Sequence, residues 1–206
     1  MNTTKIPFII YAESTPNPAS MKFVANALLI AEGATAEYRS ASETAGAPLP
    51  AKLFQFPFVK SVFISGNYIS IGKSDLVSWD DVLLEMREFI KSYLNDGLPV
   101  ITELPTKEVA ADSSFKNTVS VFTEHAVPQN EAENKIVEVL EQYIRPAVEQ
   151  DGGLITFRSF ENGVVTVQLK GACSGCPSST ITLKAGIEAL LKRLVPGVNE
   201  VVAEAL

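Results

Sequence analysis

Residues 151–180 read DGGLITFRSFENGVVTVQLKGACSGCPSST, and this stretch decides the fold. Two runs, Leu154–Phe160 and Val164–Leu169, are dominated by β-branched, aromatic and other apolar residues, the composition of strands. Asn162-Gly163 between them is a strong hairpin signal, because both residues tolerate the left-handed backbone that a tight two-residue turn requires. The second strand runs into Cys173-Ser174-Gly175-Cys176. Pro177 follows, and it suits the first position of a helix, where its missing N–H costs nothing. Leu183, Ile187, Leu190, Leu191 and Leu194 then share one face, so the spacing predicts a helix over 177–194. Pro196-Gly197 ends it, and Val198–Ala203 reads as a last strand. Upstream, Ile136, Val139, Leu140, Tyr143 and Ala147 form another helical stripe. Pro146 removes one backbone donor there, so this helix is expected to bend or lose a bond. The order helix, strand, strand, helix, strand makes a unit over 131–206, large enough to fold alone with little to spare.

The N-terminal region, residues 1–95, carries mixed signals of the same α+β class. Lys5–Ala12 and Met21–Ile30 are apolar runs separated by the turn-rich Thr15-Pro16-Asn17-Pro18. Residues 31–50 are small and polar and read as a loop, with a short helix near Pro50–Gln55. Val62 and Ile64 alternate before Gly66-Asn67, and Ile69 and Ile71 alternate after it, which predicts a hairpin. Ser78 reads as the N-cap of a helix to about Leu94, with Val82, Met86, Phe89 and Tyr93 as its buried stripe. Trp79 and the Phe-rich run at 53–59 read as core or domain contact. Residues 96–130 hold several prolines and many small polar residues and read as a linker. The whole is thus expected to be two small mixed domains, 1–95 and 131–206.

Composition narrows the function. Of 206 residues, 46% are apolar, enough for real cores, and the formal net charge of −7 is spread evenly. With no basic patch or stripe, nucleic acid is not an expected partner. No apolar run approaches the roughly 20 residues of a membrane span, so no membrane association is expected. The first 20 residues lack the apolar core of a signal peptide and the Arg-rich character of a transit peptide, which predicts a cytoplasmic protein. In a reducing compartment a lone structural disulfide is a poor explanation for two neighbouring cysteines.

Cys173 and Cys176 are the only cysteines in the chain. At a helix start the sulfurs would lie beside unsatisfied N–H groups and the positive end of the helix dipole, which favours thiolate, the metal-binding form. Gly171, Ser174, Gly175 and Ser178 make a small polar turn, so the sulfurs are expected at a polar surface rather than in an apolar pocket. Two sulfurs are half of what tetrahedral zinc or the common iron–sulfur clusters require. The one histidine, His125, falls in the expected linker and reads as a solvated loop side chain. A second copy of the chain, related by a two-fold axis, would complete a set of four thiolates. Counting donors does not choose between zinc and iron–sulfur.

The upstream IRPAVEQDGG and the block GACSGCPSSTITLKAGIE resemble the NifU C-terminal domain, the Nfu-type iron–sulfur cluster scaffold domain. TPNPASMKF, with LFQFPFVKSVFISGNYISIGK, resembles the N-terminal Nfu domain. The two resemblances span most of the chain outside 96–130. They imply a non-enzymatic cluster carrier in which Cys173 and Cys176 of each of two chains hold one 4Fe-4S cluster and pass it to apo-proteins; four thiolates suit 2Fe-2S equally well. Gly175 and Pro177 would shape the turn. The chain departs from the family pattern at Leu154, where an acidic residue is usual, and little effect on cluster binding is expected from that. The N-terminal domain, lacking cysteine and histidine, is expected to recognise clients or to modulate access to the C-terminal site.

Two rivals use the same cysteines. A dithiol oxidoreductase also places Cys-x-x-Cys at a helix start, but the order of strands and helices here does not make a thioredoxin-like unit. A zinc-bridged structural dimer would use the same four thiolates.

Overall fold

The computed structural model describes residues 6–103, 125–174 and 177–205, the last with backbone alone for 177–180 and 205. It contains a five-stranded sheet and a three-stranded sheet, each with its own helices and core.

The first sheet has the order β1-β2-β5-β4-β3, with every neighbouring pair antiparallel. Its strands are β1 (Ile10–Ser14), β2 (Ser20–Ala25), β3 (Thr35–Tyr38), β4 (Val59–Ser65) and β5 (Tyr68–Lys73). The expected hairpin is β4–β5, turning at Gly66-Asn67. Helix α1 (Pro48–Leu53) lies where a short helix was expected, and α2 (Trp79–Asn95) starts where Ser78 was expected to cap it. The Ser78 hydroxyl accepts the Asp80 N–H, satisfying one of the donors a helix start leaves open. Val82, Met86, Ile90 and Tyr93 of α2 bury against Phe23, Val62, Ile64, Ile69 and Ile71. Trp79 meets Phe23 edge-on with ring centroids 6.2 Å apart.

One expectation is corrected. Residues 31–50 are not all loop, because β3 pairs with β4 along the sheet edge. Ala36 and Tyr38 face the core and are buried, while Glu37 points to the opposite face. A four-residue strand within a polar run shows too little alternation to stand out. Its partner supplies the order.

The second unit begins with a continuous helical segment, α3 (Glu131–Val139) and α4 (Arg145–Gln150), joined by a π-helical turn over Leu140–Ile144. The wide turn ends next to Pro146, where the regular ladder loses a donor, so the predicted irregularity is present. Strands β6 (Gly153–Glu161) and β7 (Val164–Gly171) form the hairpin, with positive φ at Asn162 and Gly163 as the sequence demands. Helix α5 (Pro177–Leu194) then crosses to β8 (Glu200–Ala205), which runs parallel to β7. Ile136, Leu140, Phe157, Val167, Ile187 and Leu191 are buried at its centre. The observed order is the one expected, and the class is α+β.

Of the stretch expected to be a linker, residues 104–124 lie outside the described set. Before it, Val100 and Ile101 pack on the first core, and the Val100 carbonyl accepts the Leu49 N–H. After it, Ala126 donates to the Phe157 carbonyl of the second unit.

The two units meet sheet to sheet. β4 and β5 contact β7. Because side chains alternate across a strand, the face of the first sheet opposite its core carries Lys22, Val24, Glu37, Ser61, Phe63, Ser65, Tyr68 and Ser70. In an antiparallel sheet such a polar face usually meets water. Here Lys22, Phe63, Ser65, Tyr68 and Ser70 are buried. The matching face of the second sheet offers Leu154, Thr156, Gln168 and Lys170, also buried.

Candidate functional site

The site is built on the turn between β7 and α5. Gly171 ends the strand with φ of 65°, a conformation open to glycine at little cost. A Cβ there would also lie 2.7 Å from both the Gly152 carbonyl oxygen and the Phe63 ring. The chain then turns through Ala172 and Cys173. The Ala172 N–H donates to the Gly152 carbonyl (3.1 Å), and the Ser174 N–H returns to the Gly171 carbonyl (3.1 Å). Two segments, 150–153 and 171–174, are thus tied together beneath the cysteine. Gly175 and Cys176 lie outside the described residues, so the structure describes only Cys173 of the expected pair.

Cys173 does not sit at a polar surface. It is 7% exposed and belongs to the core of the second unit. A Cβ built on Gly153 would lie 2.6 Å from its Sγ, so the sulfur rests directly on that glycine. Burial pushes the thiol pKa up to about 12, and the Asp151 carboxylate adds to the rise. This corrects the expectation of a thiolate favoured by the helix start. Desolvation wins because the sulfur faces apolar side chains rather than water. Burial raises the pKa of Asp151 as well.

The first unit supplies much of the wall around the turn. The Asn17 side-chain amide donates to the Ala172 carbonyl at 3.1 Å. Glu37 Oε1 accepts the Gly171 N–H (3.2 Å) and the Ser174 hydroxyl (3.4 Å), with Arg39 3.6 Å away. The Ser70 hydroxyl donates to the Gly152 carbonyl (2.6 Å) and the Tyr68 hydroxyl to the Gly153 carbonyl (3.0 Å). Burial pushes the Tyr68 pKa upward, so its phenol keeps the proton it donates. Lys22 Nζ donates to the Gln150 carbonyl (3.2 Å) and lies 4.8 Å from the centroid of the Tyr68 ring. Leu154, fully buried, packs with Phe63 and Tyr68. None of these contributions was anticipated. Each joins residues remote in sequence, and the only local hint was the polar residue alternating with apolar ones along each strand.

Beside Cys173 opens a cavity of about 740 Å³, lined by Pro16 and Asn17 of the first unit and by Tyr143, Leu183, Ile187 and Leu190 of the second. Among the described residues, no group of three His, Cys, Asp or Glu side chains converges to hold a metal ion. One sulfur at a turn is a fraction of a coordination shell, so any four-thiolate site needs donors from elsewhere.

His125 is not the solvated side chain expected. Its ring is 2% exposed. Nδ1 accepts the Phe157 N–H at 2.7 Å, so the proton sits on Nε2, which faces Glu141. Glu141 in turn pairs with Arg145, and Arg145 with Glu149. These are packing contacts of the second unit and lie apart from the cysteine turn in the hydrogen-bond network.

Comparison with known proteins bears on both units. Residues 136–202 match the NifU-like domain family, and residues 10–97 match the family described as scaffold protein Nfu/NifU N terminal. The chain is 33% identical over 192 residues to an NFU1 iron-sulfur cluster scaffold homolog, mitochondrial, of Drosophila ananassae, covering 93% of this chain and 63% of that protein. It is 34% identical over 197 residues to the homolog of the same name from Drosophila willistoni, covering 96% and 64%. The chain therefore spans a little under two thirds of the length of these curated relatives. A solution NMR structure of a NifU-like protein from Saccharomyces cerevisiae superposes with a TM-score of 0.41 at 23% identity, covering 50% of this chain and 91% of that one.

Proposed function

The chain belongs to the Nfu family, a NifU-like domain behind an Nfu N-terminal domain, and from that membership we propose that it is an iron–sulfur cluster scaffold that holds its cargo between two copies. The observation that carries this reading is the position of Cys173 in the turn between β7 and α5, within the matched NifU-like domain, with one further cysteine three residues on. A single chain brings two thiolates. Its twin brings the other two, and a 4Fe-4S or a 2Fe-2S cluster is the cargo that four thiolates accept.

The chemistry asked of this chain is modest. Cys173 gives up its proton to solvent and offers the freed electron pair to iron. Delivery is ligand exchange. A thiolate of a client apo-protein replaces the Cys173 sulfur, which leaves with its electron pair and takes a proton back. No bond within the polypeptide forms or breaks, so the role is a carrier's rather than an enzyme's. The partners are a second copy of the chain and apo-proteins awaiting clusters.

The test is anaerobic reconstitution of the full chain, followed by iron, sulfide and zinc analysis, visible absorption and mass in solution. Cluster-type absorption with four irons (or two) per pair of chains is expected, and Cys173→Ser or Cys176→Ser should abolish both the colour and the cluster-dependent pairing. A full cluster on strictly single chains, or a colourless protein holding stoichiometric zinc, defeats the proposal.

A further inference from the structure

We propose that the polar face of the N-terminal sheet is a reversible latch on the turn that carries Cys173, so that the chain rests in a closed form and must part at the sheet-to-sheet junction before Cys173 can serve. The proposal takes its purpose from the cluster-carrying role above, but its structural content stands on the metal-free chain.

The contacts at the junction aim at one target. Asn17, Glu37, Tyr68, Ser70 and Lys22 come from three different strands and a loop, yet all of them hydrogen-bond to residues 150–153 or 171–174. All but one of these bonds, that of Lys22 to Gln150, hold atoms of the residues that flank and underlie Cys173. Asn17, on the loop between β1 and β2, also lines the cavity beside that cysteine. A cluster shared by two copies needs both cysteine turns bare and within one cluster's width of each other. In the closed form Asn17 and Glu37 hold Gly171, Ala172 and Ser174 on both sides of Cys173, Asn17 lines the cavity beside it, and Cys173 is 7% exposed.

The same chemistry makes the latch separable. An interface sealed by large apolar surfaces opens at high cost. This one is made mostly of hydroxyl, amide, carboxylate and ammonium groups on one side and backbone amides on the other. Water can satisfy each of them after separation, so the net contribution of each bond is small. Inter-domain faces of this polar kind ordinarily permit relative motion. The main apolar element is Leu154, lodged with Phe63 and Tyr68. It acts as the catch, and the ring of hydrogen bonds sets the register.

The experiment uses the full metal-free chain carrying Cys176→Ser, which leaves Cys173 as the sole thiol. Iodoacetamide labelling of Cys173 is timed in this parent, in Tyr68→Phe with Ser70→Ala, and in Leu154→Glu. The paired variant removes only two hydroxyl oxygens, so it tests the latch even if the carboxylate of the other variant prevents folding. Far-ultraviolet circular dichroism and Trp79 fluorescence report that both units remain folded. Each lost hydrogen bond is worth roughly fivefold, so the paired variant should label about 25-fold faster, and Leu154→Glu faster still. Labelling of folded paired variant within twofold of the parent overturns the latch. With Cys176 restored, the same variants should also take up iron faster during reconstitution; faster labelling with unchanged uptake overturns the gating role. If no chain, parent or variant, develops cluster absorption, the carrier reading fails while the labelling result still decides the latch.

Discussion

The Ser70 hydroxyl lies 2.6 Å from the carbonyl oxygen of Gly152, a bond that joins positions 82 residues apart. One residue on, the Tyr68 hydroxyl reaches the Gly153 carbonyl. Two neighbouring side chains on one strand thus read two consecutive peptide groups on another unit. That pairing fixes the two sheets in a single register and sets the Gly152-Gly153 backbone under Cys173.

Gly153→Ala should unsettle the cysteine. The new methyl would lie 2.6 Å from Cys173 Sγ and 2.8 Å from the Lys170 carbonyl. Overpacking of this kind costs about 1–3 kcal/mol. Urea unfolding of the variant should show that loss, and a change smaller than about 0.5 kcal/mol would mean the sulfur does not rest on this glycine.

The metal-free protein should lose stability in alkali through Cys173. A thiol in the unfolded chain has the ordinary value near 9.0, and burial in the fold pushes that of Cys173 up to about 12. The folded state therefore keeps a proton that the unfolded state gives up. Stability from this group is intact below about pH 9 and declines by up to ~1.4 kcal/mol per pH unit as the pH rises towards 12. Thermal unfolding from pH 8 to 11 should fall more steeply for the natural chain than for Cys173→Ala. Parallel slopes would count against a buried thiol.

His125→Ala should weaken the second unit by about 2–3 kcal/mol, because it strands the buried Phe157 N–H and removes one of the two partners of Glu141. His125→Gln, which retains an acceptor, should recover part of the loss. The interaction with His125 also helps hold the Glu141 carboxyl below its usual range despite burial, so the pKa of Glu141 in the alanine variant, followed by NMR, should rise.

Leu154→Ala should loosen the coupling between the units. Removing most of a fully buried leucine side chain costs about 2 kcal/mol or more. Calorimetry should resolve two transitions in the variant and one in the natural chain. A single unbroken transition, shifted only in temperature, would place the leucine's role within its own unit.

Much of the fold was legible because its signals are local. Asn162-Gly163 demanded a two-residue turn and formed one. Pro177 and Pro196 framed α5, and Ser78 capped α2. β3 was missed because Thr35–Tyr38 is too short for its alternation to register. The site was half legible. The cysteine turn stood out by its residues, but the burial of Cys173 did not, because local reasoning saw only a helix start and small polar neighbours. What overrules the dipole is packing from β6 and the second core, which no short window contains. Glu37, Tyr68, Ser70 and His125 were invisible for the same reason: each acts on a backbone group remote in the chain. Leu154, read from the sequence only for its bearing on cluster binding, is the apolar centre of the junction.

The lodging of Cys173 has a consequence for survival between tasks. Oxidants such as peroxide attack exposed thiolates and spare thiols they cannot reach. A carrier waiting without cargo would, with its sulfur exposed, drift towards sulfenic and then irreversible sulfinic acid. Packed into the core of its own unit and protonated, the sulfur of the idle chain escapes that fate, and the chemistry that makes it useful is kept in reserve.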